Sequence, residues 1–390
     1  MKITPTLDKA RTSLAGFLVA DAAGMGIHWI YSQGKIKSVA QDNGGNLEFL
    51  HPDPKNYEGV PSFFAHPLKS AGDGTNYSEY IPVLLKAIED GEFSVGAYLR
   101  AFGEHFGVGG TYVGYADGPM RETIYNMTHL GKTLVTRCMA SPIDLDQEKK
   151  SSAAHYIARY FFEHDTQGLK EAVRVPLKLQ QMTAEELAKV DALVDEVSQD
   201  VGALGPDDDQ MPALTRSAVL AALYSGDTLE KMVDTAVRMT NNNDKAVAYS
   251  VFFAKVLEDL YNQPKPKADE AGTLFASLSK KHLGILPEES AKLVQEALDS
   301  PALDYRTMTK RFGAACHVDM AVPLGIHILI HTKSYTEAIK ANNMASGDNG
   351  GRAVLVGTAA GVLYGLGGEA GIPDEWVKKT RMVDRLGILV

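Results

Sequence analysis

The chain has 390 residues, of which 45% are hydrophobic and 23% are charged, as in soluble globular proteins, and it can form one large domain or two ordinary ones. Its formal net charge of −10 argues against a nucleic-acid or anionic-membrane partner, because phosphates are bound by clustered cations. A small anionic ligand stays compatible with that charge, since a local pocket can carry the opposite sign.

The first residues and the cysteines bear on location. The stretch MKITPTLDKARTSL lacks the basic and apolar regions of a signal peptide. No uninterrupted apolar run reaches the ~18–20 residues that a membrane helix requires. Two cysteines, Cys138 and Cys316, are too few for a disulfide framework. We therefore expect a cytoplasmic protein, as a monomer or a small homo-oligomer.

Helical periodicity dominates the chain. Apolar residues recur at spacings of three and four in residues 81–85 with Ile88, 97–106, 153–162, 214–223, 232–239, 246–260 and 291–298. Helix starts are predicted at Asp209, at Asp244, and at Thr183 with Glu186 as a capping box. Strand-like character is scarce and is best at 173–177 and 326–330. The pattern predicts an all-α protein.

Two segments, 14–26 and 353–365, are apolar nearly all round and rich in Gly and Ala. Such helices usually lie at the centre of a fold, where small residues let neighbours approach closely. Polar stretches at 142–150, 202–210 and 262–270 interrupt the pattern. We interpret the first as the start of a peripheral helical insertion at about 142–205, and the others as surface loops. Because no clear linker separates domains, a single domain over residues 1–390 is predicted.

Asp21 lies inside the first small-residue helix with apolar neighbours on both sides. A buried, unpaired carboxylate is costly, so this side chain should have a hydrogen-bond, cation or metal partner. A structural hydrogen bond to a nearby helix N-terminus explains it equally well.

Two glycine turns each precede a helix. One carries Asp73 and Thr75, and the other carries Asp348 and Asn349 before Arg352. Each turn alone is most simply an N-cap, but two of them beside the most buried helices favour a site. Neither is a Walker A loop, because no Lys-Ser/Thr follows. Phosphate binding by the backbone amides of the second turn stays open.

Several other side chains have a structural and a functional interpretation. His327 and His331 share a helical face, but their aliphatic surroundings indicate a core and a helix-end histidine. Cys316 and His317 are adjacent, so on a helix they diverge by ~100° and cannot act as a pair. Aromatic residues beside polar groups can stack on a ring, and the amides of TNNND suit either sugar hydroxyls or caps; these candidates are Trp29, Tyr115, Asn241 and Asn242.

Taken in order, these motifs resemble those of the ADP-ribosylglycohydrolase superfamily. ADAAG at 20–24, GDGT at 72–75, TNNN at 240–243 and SGDNGG at 346–351 stand where that superfamily has G-D-A-x-G, T-D-D-T, T-H-N-H and G-G-D-T-D-T. The crystallin J1-like branch is similar in HWIY at 28–31, in YVGYADG at 112–118, in MASGDNGGR at 344–352 and in IPDEW at 372–376. The resemblance covers about residues 10 to 380, apart from the segment around 142–205.

The resemblance implies a compact orthogonal many-helix globule that holds two Mg²⁺ ions and hydrolyses the glycosidic bond of an ADP-ribose unit. Carboxylates and hydroxyls suit Mg²⁺, and the metals would position water and ribose hydroxyls. This chain departs from the pattern, because Gly72, Gly74, Gly350 and Gly351 replace acids or threonines, and His28 replaces a carboxylate that several relatives carry. The remaining ligands are Asp73, Thr75 and Asp348, so one Mg²⁺ ion or none is expected.

Two functional hypotheses follow from the resemblance. The first is a divergent hydrolase acting on a small-molecule or ADP-ribosylated substrate, with Asp73 and Asp348 binding a metal or orienting water, Asp21 bracing them, and His28 as acid or base. Its substrate would contact Thr75, Tyr77, Trp29, Tyr115, Asn241, Asn242, Asn349 and Arg352. The second is a non-catalytic pseudo-enzyme, or a crystallin-like structural or ligand-binding protein. An unrelated all-α metal enzyme is a third, weaker reading.

Overall fold

Helices form nearly all the regular structure of the computed structural model, which describes residues 5–161, 164, 166–200 and 204–389. Within these residues the only strands are β1 (Ile88–Glu89) and β2 (Glu92–Phe93), a two-residue antiparallel pair with Ile88 opposite Phe93. The all-α prediction is confirmed. Phe162, the end of one predicted helix, and the first residues of the predicted 202–210 loop lie outside the described residues.

The chain divides into two compact units. The first comprises Met1–Pro82, Asp208–Val237 and Asn243–Val390, and the second comprises Val83–Asp207 and Arg238–Asn242. The predicted insertion at about 142–205 falls inside the second unit, which begins well before it. The prediction of a single domain with this insertion stays a prediction.

The first unit contains the two small-residue segments and both glycine turns. Its helices, numbered in chain order for the whole chain, are α1 (Pro5–Gly24), α2 (Gln33–Asp42), α9 (Ser217–Leu223), α10 (Gly226–Arg238, whose last residue belongs to the second unit), α11 (Asp244–Asn262), α12 (Ala271–His282), α13 (Glu288–Leu298), α14 (Tyr305–Phe312), α15 (Val318–His331), α16 (Tyr335–Met344), α17 (Asn349–Tyr364), α18 (Asp374–Lys379) and α19 (Arg381–Leu386). Short 3₁₀ turns occur at Met25–Ile27, Pro54–Tyr57, Met211–Arg216 and Leu283–Ile285.

The second unit is built from longer amphipathic helices. It contains α4 (Val95–Phe106), α5 (Gly118–Ala140), α6 (Gln147–Tyr160), α7 (Thr166–Leu179) and α8 (Ala184–Asp200), and α3 (Tyr80–Lys86) enters it from the first unit. The strand-like segments 173–177 and 326–330 both lie in helices, α7 and α15. No described helix combines the length and the apolar character needed to cross a membrane.

Helices α1 and α17 cross at the centre of the first unit, as their composition predicts. A Cβ atom on Gly16 would lie 2.3 Å from the carbonyl oxygen of Gly357 and 2.9 Å from the Cα of Gly361. Only glycine therefore permits this separation of the two backbones. Every residue of α17 is buried, so the helix places its N-terminus inside the unit, where the second glycine turn begins.

The predicted helix starts are partly confirmed. Thr183 and Glu186 form the reciprocal capping box, with N···O distances of 2.9 and 3.3 Å. The cap of α11 is Asn243 rather than Asp244, because the Asn243 side chain accepts from the amides of Lys245 and Ala246. Asp209 caps no helix, since its carboxylate pairs with His317 and Lys245; the adjacent 3₁₀ turn begins after Gln210.

Candidate functional site

Asp348 is the N-cap of α17 and lies fully buried. Its Oδ1 accepts from the Gly351 amide at 2.9 Å and from His28 Nε2 at 2.8 Å. Its Oδ2 accepts from the Tyr77 hydroxyl at 2.9 Å. The capping interpretation of this turn is therefore correct, and the same carboxylate also binds two side chains that come from the opposite end of the sequence.

His28 reaches Asp348 because of the turn that follows α1. Trp29 has φ = 64°, which is a rare conformation for a residue with a side chain, and its amide donates to the Gly347 carbonyl at 3.0 Å. The His28 ring stacks on Trp29 at 4.3 Å between centroids, and its Nδ1 lies 2.8 Å from Nε2 of His66. Trp29 and His66 thus cover the His28 imidazole. Trp29, which was predicted to stack on a ligand, packs against this imidazole.

Asp21 has the partners that its burial demands. Its carboxylate accepts from the Thr75 amide at 2.8 Å, from the Thr75 hydroxyl at 2.7 Å, and from the Ser78 hydroxyl. All three residues are fully buried. Asp21 thus has structural hydrogen bonds, although their donors lie in the turn before α3 and not at a helix N-terminus as the alternative had it. These bonds tie α1 to the first glycine turn.

The two buried carboxylates differ in electrostatics. Burial raises the pKa of Asp21, and the hydroxyls of Ser78 and Thr75 offset only part of that rise. Burial also acts to raise the pKa of Asp348, but the His28 hydrogen bond and charge outweigh it, so that pKa is lowered. His66 stays neutral, because burial and then the neighbouring His28 hold its pKa well below 6.5. Asp348 is accordingly the carboxylate held ionised here.

Asn349 and Arg352 bind the chain itself. The Asn349 side-chain amide donates to the Gly24 carbonyl at 2.9 Å. Arg352 donates to Asn342 Oδ1 at 2.9 Å and to the carbonyl oxygens of Asn342 and Ser346 at 3.1 and 2.5 Å. Burial lowers the pKa of Arg352 to about 10. Both side chains, predicted to contact substrate, fasten the turn before α17 to its surroundings.

The partners of Asp73 differ from those of the buried cluster. Its Oδ2 accepts from the Ser70 amide and its Oδ1 from the Arg381 guanidinium, both at 2.8 Å. The reason lies at Gly72, which has φ = +90° and on which a Cβ would stand 2.2 Å from the Lys379 carbonyl oxygen. Glycine in place of the family's threonine lets the segment before α19 approach, and that segment brings Arg381 to Asp73. The expectation that Asp73 and Asp348 face one volume stays a prediction.

The donor set observed does not fit a Mg²⁺ ion. Asp73 forms an ion pair with Arg381, the Thr75 hydroxyl donates a hydrogen bond to Asp21, and both oxygens of Asp348 accept from side-chain donors. Within the described ranges, no group of three or more His, Cys, Asp or Glu residues could hold a metal. A Cβ on Gly350 would meet Thr75, Asp21 and His28 at 3.1 to 3.2 Å. These side chains therefore occupy the space that an acidic side chain at position 350 would need. The predicted Mg²⁺ ion stays a prediction.

Three predicted substrate contacts belong to the second unit. Tyr115 is half-buried, and its carbonyl accepts from the Tyr112 hydroxyl at 2.9 Å. Asn241 Oδ1 accepts from Thr240 at 2.9 Å, and Asn242 Oδ1 accepts from Arg238 at 3.0 Å. The side-chain oxygens of both asparagines therefore accept from neighbouring side chains, and the residue of TNNND that caps a helix is Asn243.

Three residues that hold this site together have no motif that marks them. Ser78 follows Thr75 by three residues, a spacing that could have suggested a second hydroxyl in the same turn. His66 and Arg381 stand in unpatterned sequence. They meet their partners, His28 and Asp73, only through the fold.

Comparison with known proteins gives consistent results. A family model described as ADP-ribosylglycohydrolase matches residues 3–390. Crystallin J1A of Tripedalia cystophora is 23% identical over 383 residues, with 96% of this chain and 92% of the relative covered. Crystallin J1B of the same organism is 22% identical over 382 residues, with the same coverage of 96% and 92%. A solved ADP-ribosylglycohydrolase-related protein complex aligns with 100% of this chain and 98% of its own, at 12% identity and a TM-score of 0.45.

Proposed function

This chain belongs to the ADP-ribosylglycohydrolase family, and we propose that it is a non-catalytic, crystallin-like member whose former catalytic centre has become part of the structural core. One observation carries the proposal. Asp21, His28 and Asp348 are fully buried, and their hydrogen-bond partners are groups of the chain itself.

A glycosidase needs carboxyl groups that reach the anomeric carbon and the attacking water. The side chains of Asp21 and Asp348 are 0% exposed, and both oxygens of each accept hydrogen bonds from the protein. Asp73, the most accessible of the three acids, forms an ion pair with Arg381. For substrate to be attacked, these bonds would have to break, and a buried carboxylate would lose its partners at a cost of about 3–5 kcal/mol.

The same bonds have a clear structural use. Asp21 joins α1 to the turn before α3, and Asp348 joins the start of α17 to the turn that carries His28. Satisfied buried polar groups of this kind specify one arrangement of the helices that they connect. The similarity to crystallins J1A and J1B over nearly the whole chain supports this reading.

Hydrolysis of a glycosidic bond in a ribosylated substrate is the second candidate, favoured by the pair of His28 and Asp348. An imidazole 2.8 Å from a carboxylate is an arrangement able to transfer a proton. In this reading His28 is the acid or base, Asp348 sets its charge, and Asp73 orients water or a metal. The cover formed by Trp29 and His66 would have to open.

Release of ADP-ribose separates the two candidates. The wild type and the variants Asp348→Asn, Asp73→Asn and Asp42→Asn are incubated with ADP-ribosyl-arginine and ADP-ribosyl-serine, with and without Mg²⁺. Asp42 is exposed at the end of α2 and serves as the matched control. The proposal predicts no release above buffer by any of the four proteins. Release by the wild type and Asp42→Asn that is lost in the other two variants would overturn it in favour of the hydrolase.

A further inference from the structure

One face of α7, in the second unit, presents exposed apolar side chains between two opposite charges. It consists of Glu171, Val175, Lys178 and Leu179, all of them exposed. We propose that this face, the α7 face, binds the same face of a second copy of the chain and forms a two-fold symmetric dimer. It includes no residue of the buried carboxylate cluster, so the proposal stands apart from the function proposed above.

The exposure of the apolar residues is the first argument. Val175 and Leu179 are 63% and 82% exposed. Eight large hydrophobic side chains are exposed among the described residues, and these two are the only ones that share a helix. Because they stand four residues apart, they lie on one face of it. Single exposed apolar residues are ordinary, whereas apolar residues grouped on one face indicate an interaction surface.

The other faces of α7 have partners within the chain. Three apolar side chains of α7 are buried: Leu169, Val173 and Leu177. At 100° per residue, they lie on the side of the helix opposite to Val175. The cations Lys170 and Arg174 bind carboxylates of α8, those of Asp195 and Asp191. The α7 face is therefore the side of this helix that is left for a partner outside the chain.

The charges of the α7 face indicate that the partner is a second copy. If two copies of α7 cross antiparallel with Val175 at the two-fold axis, Glu171 lies opposite Leu179 of the second copy and beside its Lys178. Neither Glu171 nor Lys178 forms an ion pair with a described residue. A parallel arrangement would instead set each charge against its like. The antiparallel pair thus has an apolar centre flanked by two symmetric ion pairs.

Two tyrosines of α6 extend this surface at the end of α7. The Tyr156 hydroxyl accepts from Gln180, the residue after Leu179, at 3.3 Å. The half-buried rings of Tyr156 and Tyr160 stack with their centroids 6.2 Å apart. Tyrosine is enriched at protein interfaces, because its ring supplies apolar area and its hydroxyl supplies a hydrogen bond. The proposed contact therefore involves α6 as well as α7.

Sedimentation equilibrium of the full chain over a range of concentrations tests the proposal. The wild type is expected to show a monomer–dimer equilibrium without larger species, because a two-fold contact is closed. Val175→Asp places a charge at the centre of the contact and should raise the dissociation constant about tenfold or more. Val113→Asp makes the same change at a residue that is 72% exposed outside α7, and it should leave the dissociation constant unchanged.

Charge reversal tests the antiparallel arrangement. Lys178→Glu brings like charges together on both sides of the axis and should weaken the dimer several-fold. Adding Glu171→Lys to that variant restores opposite charges and should restore the affinity. Val175→Cys should give a disulfide-linked dimer on oxidation with diamide, because the two copies of residue 175 face each other, and Val113→Cys should not.

Three results would overturn the proposal: a wild type that stays monomeric up to about 100 μM, a dimer that is unaffected by Val175→Asp, or a double charge variant no tighter than Lys178→Glu alone. Circular dichroism checks that each variant is folded. The charge variants change only exposed side chains, so they decide the matter should Val175→Asp unfold the protein.

Discussion

The imidazole of His28 donates through Nε2 to Oδ1 of Asp348 across 2.8 Å, and both side chains are completely removed from solvent. Removing the imidazole leaves a buried carboxylate without this partner, which costs about 3–5 kcal/mol. We therefore expect His28→Ala to lower the free energy of unfolding by that amount in urea denaturation. His51→Ala changes an exposed histidine and should be neutral. An effect of His28→Ala no larger than that of His51→Ala would contradict the buried pair.

The Asp21 cluster gives a second prediction, because Thr75 and Ser78 supply its donors. Ser78→Ala removes one donor to a buried carboxylate, and we expect a loss of about 1–3 kcal/mol in the free energy of unfolding. Thr235→Ala is the control, since the hydroxyl of the half-buried Thr235 makes a solvent-exposed hydrogen bond to its own helix. Equal stability of the two variants would mean that the bond from Ser78 to Asp21 contributes nothing.

The crossing of α1 and α17 depends on glycine. In Gly16→Ala the added methyl group meets the backbone of α17, so we expect a loss of about 1–3 kcal/mol or more. A Cβ on Gly131, within α5, meets no atom within 4 Å, so Gly131→Ala should raise stability by up to about 1 kcal/mol through helix propensity. Thermal denaturation of both variants checks the prediction. A neutral Gly16→Ala would show that the two helices are further apart.

Acid should weaken the part of the first unit around His327. Burial, and then the charge of His331, lower the pKa of His327 to about 4, and its Nε2 accepts from the Asp304 amide at 2.9 Å. Because the unfolded chain binds the proton at the ordinary pKa of about 6.5, stability is full above that pH and falls as pH drops toward 4. The loss amounts to at most about 3 kcal/mol.

His327→Gln removes this titration. The difference in unfolding free energy between wild type and variant should therefore shrink steadily between pH 7 and pH 4, by urea denaturation at each pH. A difference that stays constant with pH would show that His327 is not held neutral in the folded protein. His155→Gln, at an exposed histidine of α6, should show no such trend.

Local patterns predicted the fold well. The glycines of α1 and α17 predicted that these helices lie at the centre of the fold, because two helix backbones can approach closely only where the residues between them lack bulky side chains. Asp348 was recognisable as a cap, since the cap and its amide partner Gly351 lie three residues apart. The all-α class followed from periodicity. Each of these features is decided within a few residues of chain.

The connections of the site were not predictable in the same way. Asp348 meets Tyr77 and His28 from 271 and 320 residues away, and Asp73 meets Arg381 from 308 residues away. Nothing in the sequence around Asp73 marks Arg381 as its partner. The family pattern suggested that Asp73 and Asp348 share a metal. Instead, the glycine at position 72 allows the segment that carries Arg381 to approach, and Asp73 pairs with that arginine.

The most direct test of the central claim is a single-turnover measurement on the wild type. Protein in large excess over ADP-ribosyl-arginine, and separately over ADP-ribosyl-serine, is incubated with saturating Mg²⁺, and free ADP-ribose is followed with time. If Asp21, His28 and Asp348 are inaccessible to substrate, ADP-ribose should be released no faster than in buffer alone. One complete turnover faster than buffer, abolished in Asp348→Asn, would contradict the non-catalytic account.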